Sequence, residues 1–364
     1  MIREEKGDPK MPKIHAVSTH CPPHALPQNM AEKFIKELFS GKIAKLDRYL
    51  KVFKNGEIHN RQLAMPIEWY KEEHSFSERN ELYVELATEY TAKVIEDCLE
   101  SASVEKEAVD AIIFISSTGI STPSIEARVM NQLSLPIDIV RIPIWGLGCG
   151  GGAAGISRAN DYCLAHPDAV VLVVCLELCS LTFQPDDLDK SNFIGTSLFG
   201  DGVACALVAG DEASLSPKET LPSIKGNASR LMPHSEDVMG WRIEDSGLHV
   251  IFSKSIPPIV ENWFAPFVHD FLNTHDSKPQ DLTQFILHPG GKKVLTAYEK
   301  ALNLPNDLLA PSSHILKNHG NMSSPTVLYV LKYIMENKPS KGEKGLMASL
   351  GPGFSGELVL LEWE

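Results

Sequence analysis

The sequence predicts an α/β fold made of two similar halves. Three observations lead there. The runs "AIIFISSTG" (111–119), "AVVLVVCLE" (169–177) and "VACALVAG" (203–210) are apolar without alternation, the mark of strands buried on both faces. Helical stretches around 123–133 and 152–165 lie between them, as βα units require. The second half of the chain then repeats the order of features, though few residues are identical.

Taken in order, residues 1–12 are charged and read as a flexible extension. From about 30 to 104 helical spacing dominates. In "SERNELYVELATEYTAKVIEDCLESA" (77–102), Leu82, Leu86, Tyr90, Val94 and Cys98 form one apolar stripe, an amphipathic helix on a core. "AIIFISSTG" follows as a strand closed by small polar residues. "DIVRIPIW" (138–145) contains Arg141 and Pro143, poor occupants of a buried central strand. It leads into "WGLGCGGGAAG" (145–155), a glycine-rich turn that opens a small-residue helix. In the second half, "QFILHPGG" (284–291) parallels "AIIFISSTG". "NHGNMSSPTVLYVLKYIM" (318–335) parallels the glycine-rich turn and its helix, with Val327, Leu328, Leu331 and Met335 on one face. "LGPGFSGELVLLEWE" (350–364) parallels "LFGDGVACALVAG" (198–210). Three matched pairs in one order indicate a duplication with its junction near 210–235. The expected units are therefore an extension over 1–12, a first half over 13–225 and a second over 226–364.

Composition narrows the function. The chain has 364 residues, 43% hydrophobic and 22% charged, which suits a folded protein with a large core. A formal charge of −13 argues against nucleic acid, which wants a basic face, but leaves room for a local basic mouth. The seven cysteines are irregularly spaced, and no second pair joins Cys175 and Cys179 in a zinc set, so no metal is expected. Reduced thiols fit a cytoplasmic protein. The N-terminus, "MIREEKGDPKMPK", has no apolar segment of the signal-peptide kind. No apolar run reaches the roughly 18 residues that a membrane span needs.

The glycine-rich turn allows two chemistries. Gly146, Gly148 and Gly151 satisfy G-x-G-x-x-G, a dinucleotide fingerprint. That reading, an NAD-dependent oxidoreductase, wants a clean parallel strand before the turn and an acid ending a second strand about 20 residues on. "DIVRIPIW" is not such a strand, and neither Asp161 nor Asp168 ends one. Alternatively Cys149 is a nucleophile, its thiolate favoured at a helix N-terminus and its own N–H available to an oxyanion. A small buried thiol in a tight turn remains the third reading. Among thirteen histidines, His288 differs in ending an apolar run before "PGG". It is either a satisfied core residue or a site residue. Asn321 opens the matched helix and is either a site residue or a helix N-cap. In a duplicated fold with a pseudo-twofold axis, Cys149, His288 and Asn321 converge on one face.

"GLGCGGG", "LFGDG", "LHPGG", "HGNMSSP" and "GPGFSGE" stand in that order. With them, from about residue 13 to the end, the chain resembles the type III polyketide synthases of the chalcone/stilbene synthase family. "RIPIWGLGCGGGAAG" and "EWYKEEHSFSERN" place it nearer to bacterial members that make long-chain alkylpyrones or alkylresorcinols. The resemblance implies a thiolase-like fold, two duplicated α/β halves in a layered αβαβα core. It implies a homodimer that uses acyl-CoA and malonyl-CoA and no cofactor or metal. Cys149 would accept the starter acyl group, His288 would pair with it as thiolate, and Asn321 would work with His288 on the extender. Phe199 corresponds to one of two gatekeeper phenylalanines. The other falls at Val250, a departure that widens the passage and puts aromatic gating in doubt. Thr182, Ser323, Ser117 and Thr118 would line the cavity, and Thr122 would reach into the partner's. Lys54, Arg61, Gly290 and Gly291 fall near contacts to coenzyme A, and Gly351, Pro352 and Gly353 in a loop lining the cavity. A ketoacyl synthase III-type enzyme would share Cys, His and Asn, but "HPGG" and "GNMSSP" match the polyketide branch better. A non-catalytic binding protein would have no use for the three polar residues together.

Overall fold

A computed structural model describes residues 11–43, 45–216, 220–252 and 256–364. Most of the extension read over 1–12 lies outside the described residues. The first half runs β1 (Lys13–His20), β2 (His24–Pro27), α1 (Gln28–Phe39), α2 (Leu46–Asn55), β3 (Asn60–Leu63), α3 (Phe76–Ala102), β4 (Ala111–Ile115), α4 (Ile125–Leu133), β5 (Val140–Ile144), α5 (Gly151–Ala165), β6 (Val170–Leu178), α6 (Lys190–Leu198) and β7 (Asp201–Ala209). The second runs β8 (Pro222–Leu231), β9 (Met239–Glu244), β10 (Gly247–Phe252), α7 (Ile256–Ile259), α8 (Ala265–Asn273), β11 (Gln284–Leu287), α9 (Lys292–Ala301), α10 (Ala310–His319), α11 (Pro325–Glu336), β12 (Lys344–Gly351) and β13 (Ser355–Trp363).

Each half builds one sheet on the same plan. The first has the order β1-β7-β6-β4-β5, and the second β8-β13-β12-β11. In both, the inner two strands, β6 with β7 and β12 with β13, are antiparallel. Parallel pairing then continues outward, from β6 to β4 and from β12 to β11. The matched sequence pairs therefore occupy equivalent places: β4 with β11, α5 with α11, β7 with β13. The two sheets join where Lys13 of β1 pairs with Ser223 of β8. β8 crosses residue 225, so the second sheet starts at Pro222, a few residues before the division expected from the sequence.

The layers follow from burial on both faces. Odd-numbered residues of β4 and β6 (Ile113, Ile115, Val171, Val173) pack on α5 and α11 between the sheets. Even-numbered ones (Ile112, Phe114, Leu172, Val174) face outward onto the stripe of α3. Leu346, Ala348, Leu358 and Leu360 of the second sheet likewise face α8 and α9. Helix, sheet, helix pair, sheet and helix thus stack in five layers. α3 starts on a capping box, Ser75 with Glu78, which satisfies its first free N–H groups. β5 is an edge strand, and Arg141 and Pro143 are exposed on it, as their chemistry demands.

Candidate active site

The central helices α5 and α11 set the site. Cys149 sits in the 3-10 turn Gly148–Gly150 that runs into α5, and is 6% exposed. The glycines around it serve packing. A Cβ on Gly152 would lie 2.4 Å from Val327 Cγ1 and 2.5 Å from the carbonyl oxygen of Ser324, so only glycine lets α5 meet α11 here. A Cβ on Gly151 would lie 2.5 Å from Ile115 Cγ2. Of the three glycines in the G-x-G-x-x-G spacing, Gly151 packs against Ile115, Gly148 abuts Pro352 and Gly146 has open space around it. The spacing follows an edge strand, β5, rather than a buried central one.

His288 extends the line of β11, its N–H donating to Ala348 O at 2.8 Å. Asn321 bridges to Phe199 through backbone bonds, Asn321 N–H to Leu198 O at 2.8 Å and Gly200 N–H to Asn321 O at 3.0 Å. It is no N-cap, because α11 begins four residues later. The N–H of Ser323 donates to Asn321 Oδ1 at 2.8 Å and orients the amide. Its Nδ2 then faces Gly290 O at 3.4 Å and Cys149 Sγ at 3.9 Å. Asparagine from one half thus reaches the thiol of the other.

Burial opposes the expected thiolate–imidazolium pair in this state. Burial is the main cause on both sides. It pushes the Cys149 thiol up to about 11 against bonds from Ser323 and Asn321 that favour the thiolate, and it pushes His288 down to about 3. Both groups are neutral near pH 7. His288 is 2% exposed, and among the described residues no group bonds either ring nitrogen.

Sequence reading missed Glu177. This carboxylate is fully buried at the end of β6. It accepts from Ser117 N–H at 2.9 Å, Ser117 Oγ at 3.0 Å, Thr118 Oγ1 at 2.9 Å and Ser324 Oγ at 3.0 Å. Burial raises its pKa, and its charge raises that of Cys149. The signal was an acid inside an otherwise apolar run, "VVCLELC". Ser117, Thr118 and, at 3.5 Å, Ser323 serve this carboxylate.

An apolar pocket with about 70 Å³ of solvent-sized space opens at Phe199, whose backbone bridges to Asn321. Cys179, Thr182, Phe199, Val250, Leu26 and Phe34 are among its lining residues. The aromatic missing at Val250 is supplied nearby. Phe252 lies 5.6 Å from Phe199 between ring centroids, and Trp241, the cross-strand partner of Val250, lies 6.3 Å away. The wall near Val250 is therefore not stripped of aromatic surface.

Three expectations need correction. Arg61 is 2% exposed and donates to the carbonyls of Thr196, Ser197 and Phe199. Its guanidinium holds the end of α6 that carries Phe199 and is not free for a phosphate. Gly351, Pro352 and Gly353 do not line the apolar cavity. A Cβ on Gly351 would lie 2.5 Å from Leu147 O, and Pro352 abuts Gly148, so this loop buttresses the backbone of the Cys149 turn. Gly291 packs beside Leu198. Lys54 is exposed, 3.9 Å from Glu32, and shares a polar surface recess with His59 and Lys317. Thr122 is exposed and outside this chain's cavity.

Residues 4–212 match the family described as chalcone and stilbene synthases, N-terminal domain, and residues 223–363 match its C-terminal domain. The chain is 49% identical over 359 residues to a Bacillus subtilis (strain 168) protein named "Putative chalcone synthase", covering 96% of this chain and 98% of the relative. It is 34% identical to 1,3,6,8-tetrahydroxynaphthalene synthase of Streptomyces peucetius subsp. caesius, over 96% of this chain and 93% of that one. The crystal structure of 1,3,6,8-tetrahydroxynaphthalene synthase from Streptomyces coelicolor A3(2) superposes with a TM-score of 0.91 at 30% identity, covering 97% of this chain and 99% of that chain.

Proposed function

The chain belongs to the chalcone and stilbene synthase family and is a type III polyketide synthase of thiolase-like fold, and from that premise we propose that it extends a fatty acyl starter held on Cys149. Enzymes of this family carry out decarboxylative, acyltransferase-type condensation on coenzyme A thioesters and need no cofactor. The apolar lining of the pocket supports the fatty acyl starter. Leu26, Ala31, Phe34, Ile35 and Phe183 wall a largely apolar pocket that also includes Phe199, the backbone neighbour of Asn321, and such a wall suits an alkyl chain.

In the proposed cycle His288 takes the proton of Cys149 as sulfur attacks the thioester carbonyl. Coenzyme A leaves as the thiol with that proton. Malonyl-CoA then enters, and its loss of CO2 develops charge on the thioester oxygen. Asn321 Nδ2 and the N–H of the His288 ring, neutral again once coenzyme A has carried the proton away, donate to that oxygen, as in an oxyanion hole. The enolate carbon attacks the acyl-cysteine, the C–S bond breaks and Cys149 leaves as the thiolate. The lengthened chain, now a coenzyme A thioester, is transferred back to Cys149 with release of coenzyme A, and further rounds give a chain that cyclises to an alkylpyrone or alkylresorcinol. Lys54 and Lys317, at the polar recess, would meet the phosphates of coenzyme A. Exposed Ile120, Ile137, Val140 and Trp145 around the edge strand β5 support a homodimer across that face, with Thr122 beside it. The cytoplasm is the compartment that keeps seven free cysteines reduced.

The test is incubation with malonyl-CoA and acyl-CoAs of graded length, with products identified by mass spectrometry. Products that retain the long acyl chain support the reading. A product built from malonyl units alone, at every starter length, refutes it. Cys149→Ala abolishes product formation.

A further inference from the structure

The two-stranded sheet β9–β10 stands apart from the central sheets. Its two faces do different things. Residues opposite one another and two apart share a face. Trp241, Val250 and Phe252 therefore form one face, Trp241 directly across from Val250. This face meets Phe199, and Val250 lines the cavity. The opposite face presents His249, with Arg242 across from it.

His249 is 7% exposed, and the proposed reaction does not use it. Its Nδ1 lies 3.1 Å from Asp187 Oδ2 and its Nε2 2.7 Å from Ser246 Oγ, with Glu244 Oε2 at 3.6 Å. Asp187 belongs to the segment just before α6, not to the hairpin. That segment is itself fixed. Asn192 Nδ2 donates to Gln184 O and Asp187 O, both at 2.8 Å. Gln184 Nε2 reaches back to Leu248 O at 3.2 Å, and Arg79 donates to the carbonyls of Phe183 and Ser246. Arg242 Nη2 stands 4.0 Å from Asp189. The polar face is thus moored to a rigid segment, while the apolar face walls the cavity.

We propose that His249, through its bond to Asp187, is a positioning residue that presses the aromatic face of the β9–β10 hairpin against Phe199 and so sets which acyl chains the cavity admits. This inference rests on the acyl-loading role proposed above for Cys149. A short acyl group ends near the thiol and does not need the wall. A long one must pass Phe199 and Val250 and is held by Trp241 and Phe252. Releasing the latch loosens that wall without touching Cys149, His288 or Asn321.

The experiment reads loading alone. Wild type, His249→Ala, Asp187→Ala, Asp187→Asn and Phe252→Ala are mixed with acetyl-CoA or a long fatty acyl-CoA over a range of concentrations. Acylation of Cys149 is followed by intact mass, and melting temperatures are recorded in parallel. In His249→Ala and Asp187→Ala the half-saturating concentration of the long acyl-CoA rises about tenfold while that of acetyl-CoA stays within about twofold, the scale of methylene-level pocket discrimination. Phe252→Ala gives the same pattern. Asp187→Asn keeps an acceptor for Nδ1–H and keeps the wild-type ratio. A long-to-short ratio unchanged in His249→Ala, whatever the melting temperature does, overturns the latch, as does an Asp187→Asn ratio shifted as far as that of Asp187→Ala. Wild type that is never acylated by any acyl-CoA overturns the loading role and the latch together.

Discussion

Glu177 offers the sharpest test of the site's electrostatics, because two substitutions separate its charge from its hydrogen bonds. Ser117 N–H, a fixed donor, points at one carboxylate oxygen together with Thr118 Oγ1. The other oxygen is met by the hydroxyls of Ser117 and Ser324, which can rotate and accept. Glutamine fits this pattern, its oxygen toward the N–H and its amide toward the hydroxyls. Glu177→Gln therefore costs only about 1 kcal/mol, one modest hydrogen-bond difference. Glu177→Ala strands the Ser117 N–H and the Thr118 hydroxyl, at about 1–3 kcal/mol each. With roughly 0.8 kcal/mol per degree for a chain of this size, those two orphaned donors lower the melting temperature by about 3–8 °C. Removing the charge also relieves Cys149, whose thiol Glu177 pushes up. A lower thiol pKa raises the thiolate fraction, by about tenfold for each full unit of fall. Glu177→Gln should thus fold almost normally and react faster with iodoacetamide near pH 8, read by intact mass. Labelling slower than wild type would refute the sign of the coupling, and a melting temperature as low as that of Glu177→Ala would refute the hydrogen-bond count.

Further outcomes follow from the same structure. Gly152→Ala gains about 1 kcal/mol of helix propensity but drives Cβ into Val327 and the fixed carbonyl of Ser324, an overpacking worth about 1–3 kcal/mol, so thermal denaturation should show a net loss. An unchanged or higher melting temperature would contradict the packing role given to the glycines. Arg61→Ala takes the side-chain donor from the carbonyls of Thr196 and Phe199, while Ser197 O keeps Gln28 Nε2, and should lower the melting temperature, whereas Lys54→Ala should leave it unchanged and raise KM for acyl-CoA a few-fold, as a lost surface charge contact would. The reverse assignment in steady-state kinetics would restore Arg61 as the phosphate contact. Burial depresses His288 from 6.5 to about 3, so between those values the unfolded chain binds the extra proton. Its contribution is complete above about pH 6.5 and is lost as pH falls, by up to ~1.4 kcal/mol per pH unit. Denaturant titrations of His288→Gln should show a flatter fall between pH 6 and 4, and an identical slope would mean that the native imidazole is charged.

Much of this was legible because burial leaves strong marks on sequence. β4, β6 and β7 are continuous apolar runs, since they are covered on both faces, and the turns after β4 and β11 were found from the change to small residues. What stayed hidden depends on distance along the chain. β1 pairs with β7, nearly two hundred residues later, and its short mixed sequence gives no hint of a central place. The resemblance sets Arg61 near the coenzyme A contacts because side-chain type alone does not show three carbonyls converging on it. The loop at Gly351 looked like cavity wall, yet its glycine is required by the backbone of Leu147, a contact between the two halves. The aromatic surface near Val250 was missed for a similar reason. Trp241 lies on another strand and Phe252 two residues further along, so a position-by-position comparison sees only a lost ring.

The duplication explains why the chemistry sits at the seam. α5 and α11 are the two central helices, one from each half, and each begins beside the other half's sheet. The first half spends its helix start on the thiol. The second spends the equivalent stretch on Asn321 and Ser323, and the end of β11 on His288. Neither half alone holds both the proposed nucleophile and the proposed donors to a developing oxyanion. Close approach of the helices brings them together, and Gly152 against Val327 and Ser324 is what permits that approach. The residues that define the reaction's geometry are thus partly those that carry no functional group at all. A substitution that spreads α5 from α11 by a few tenths of an ångström would lengthen the 3.9 Å gap between Cys149 Sγ and Asn321 Nδ2 while leaving every catalytic side chain in place. Gly152→Ala should therefore slow the condensation more than it slows acylation of Cys149, since loading calls on the thiol and condensation calls on both halves. Equal slowing of the two steps in single-turnover measurements would show that the glycine serves stability alone.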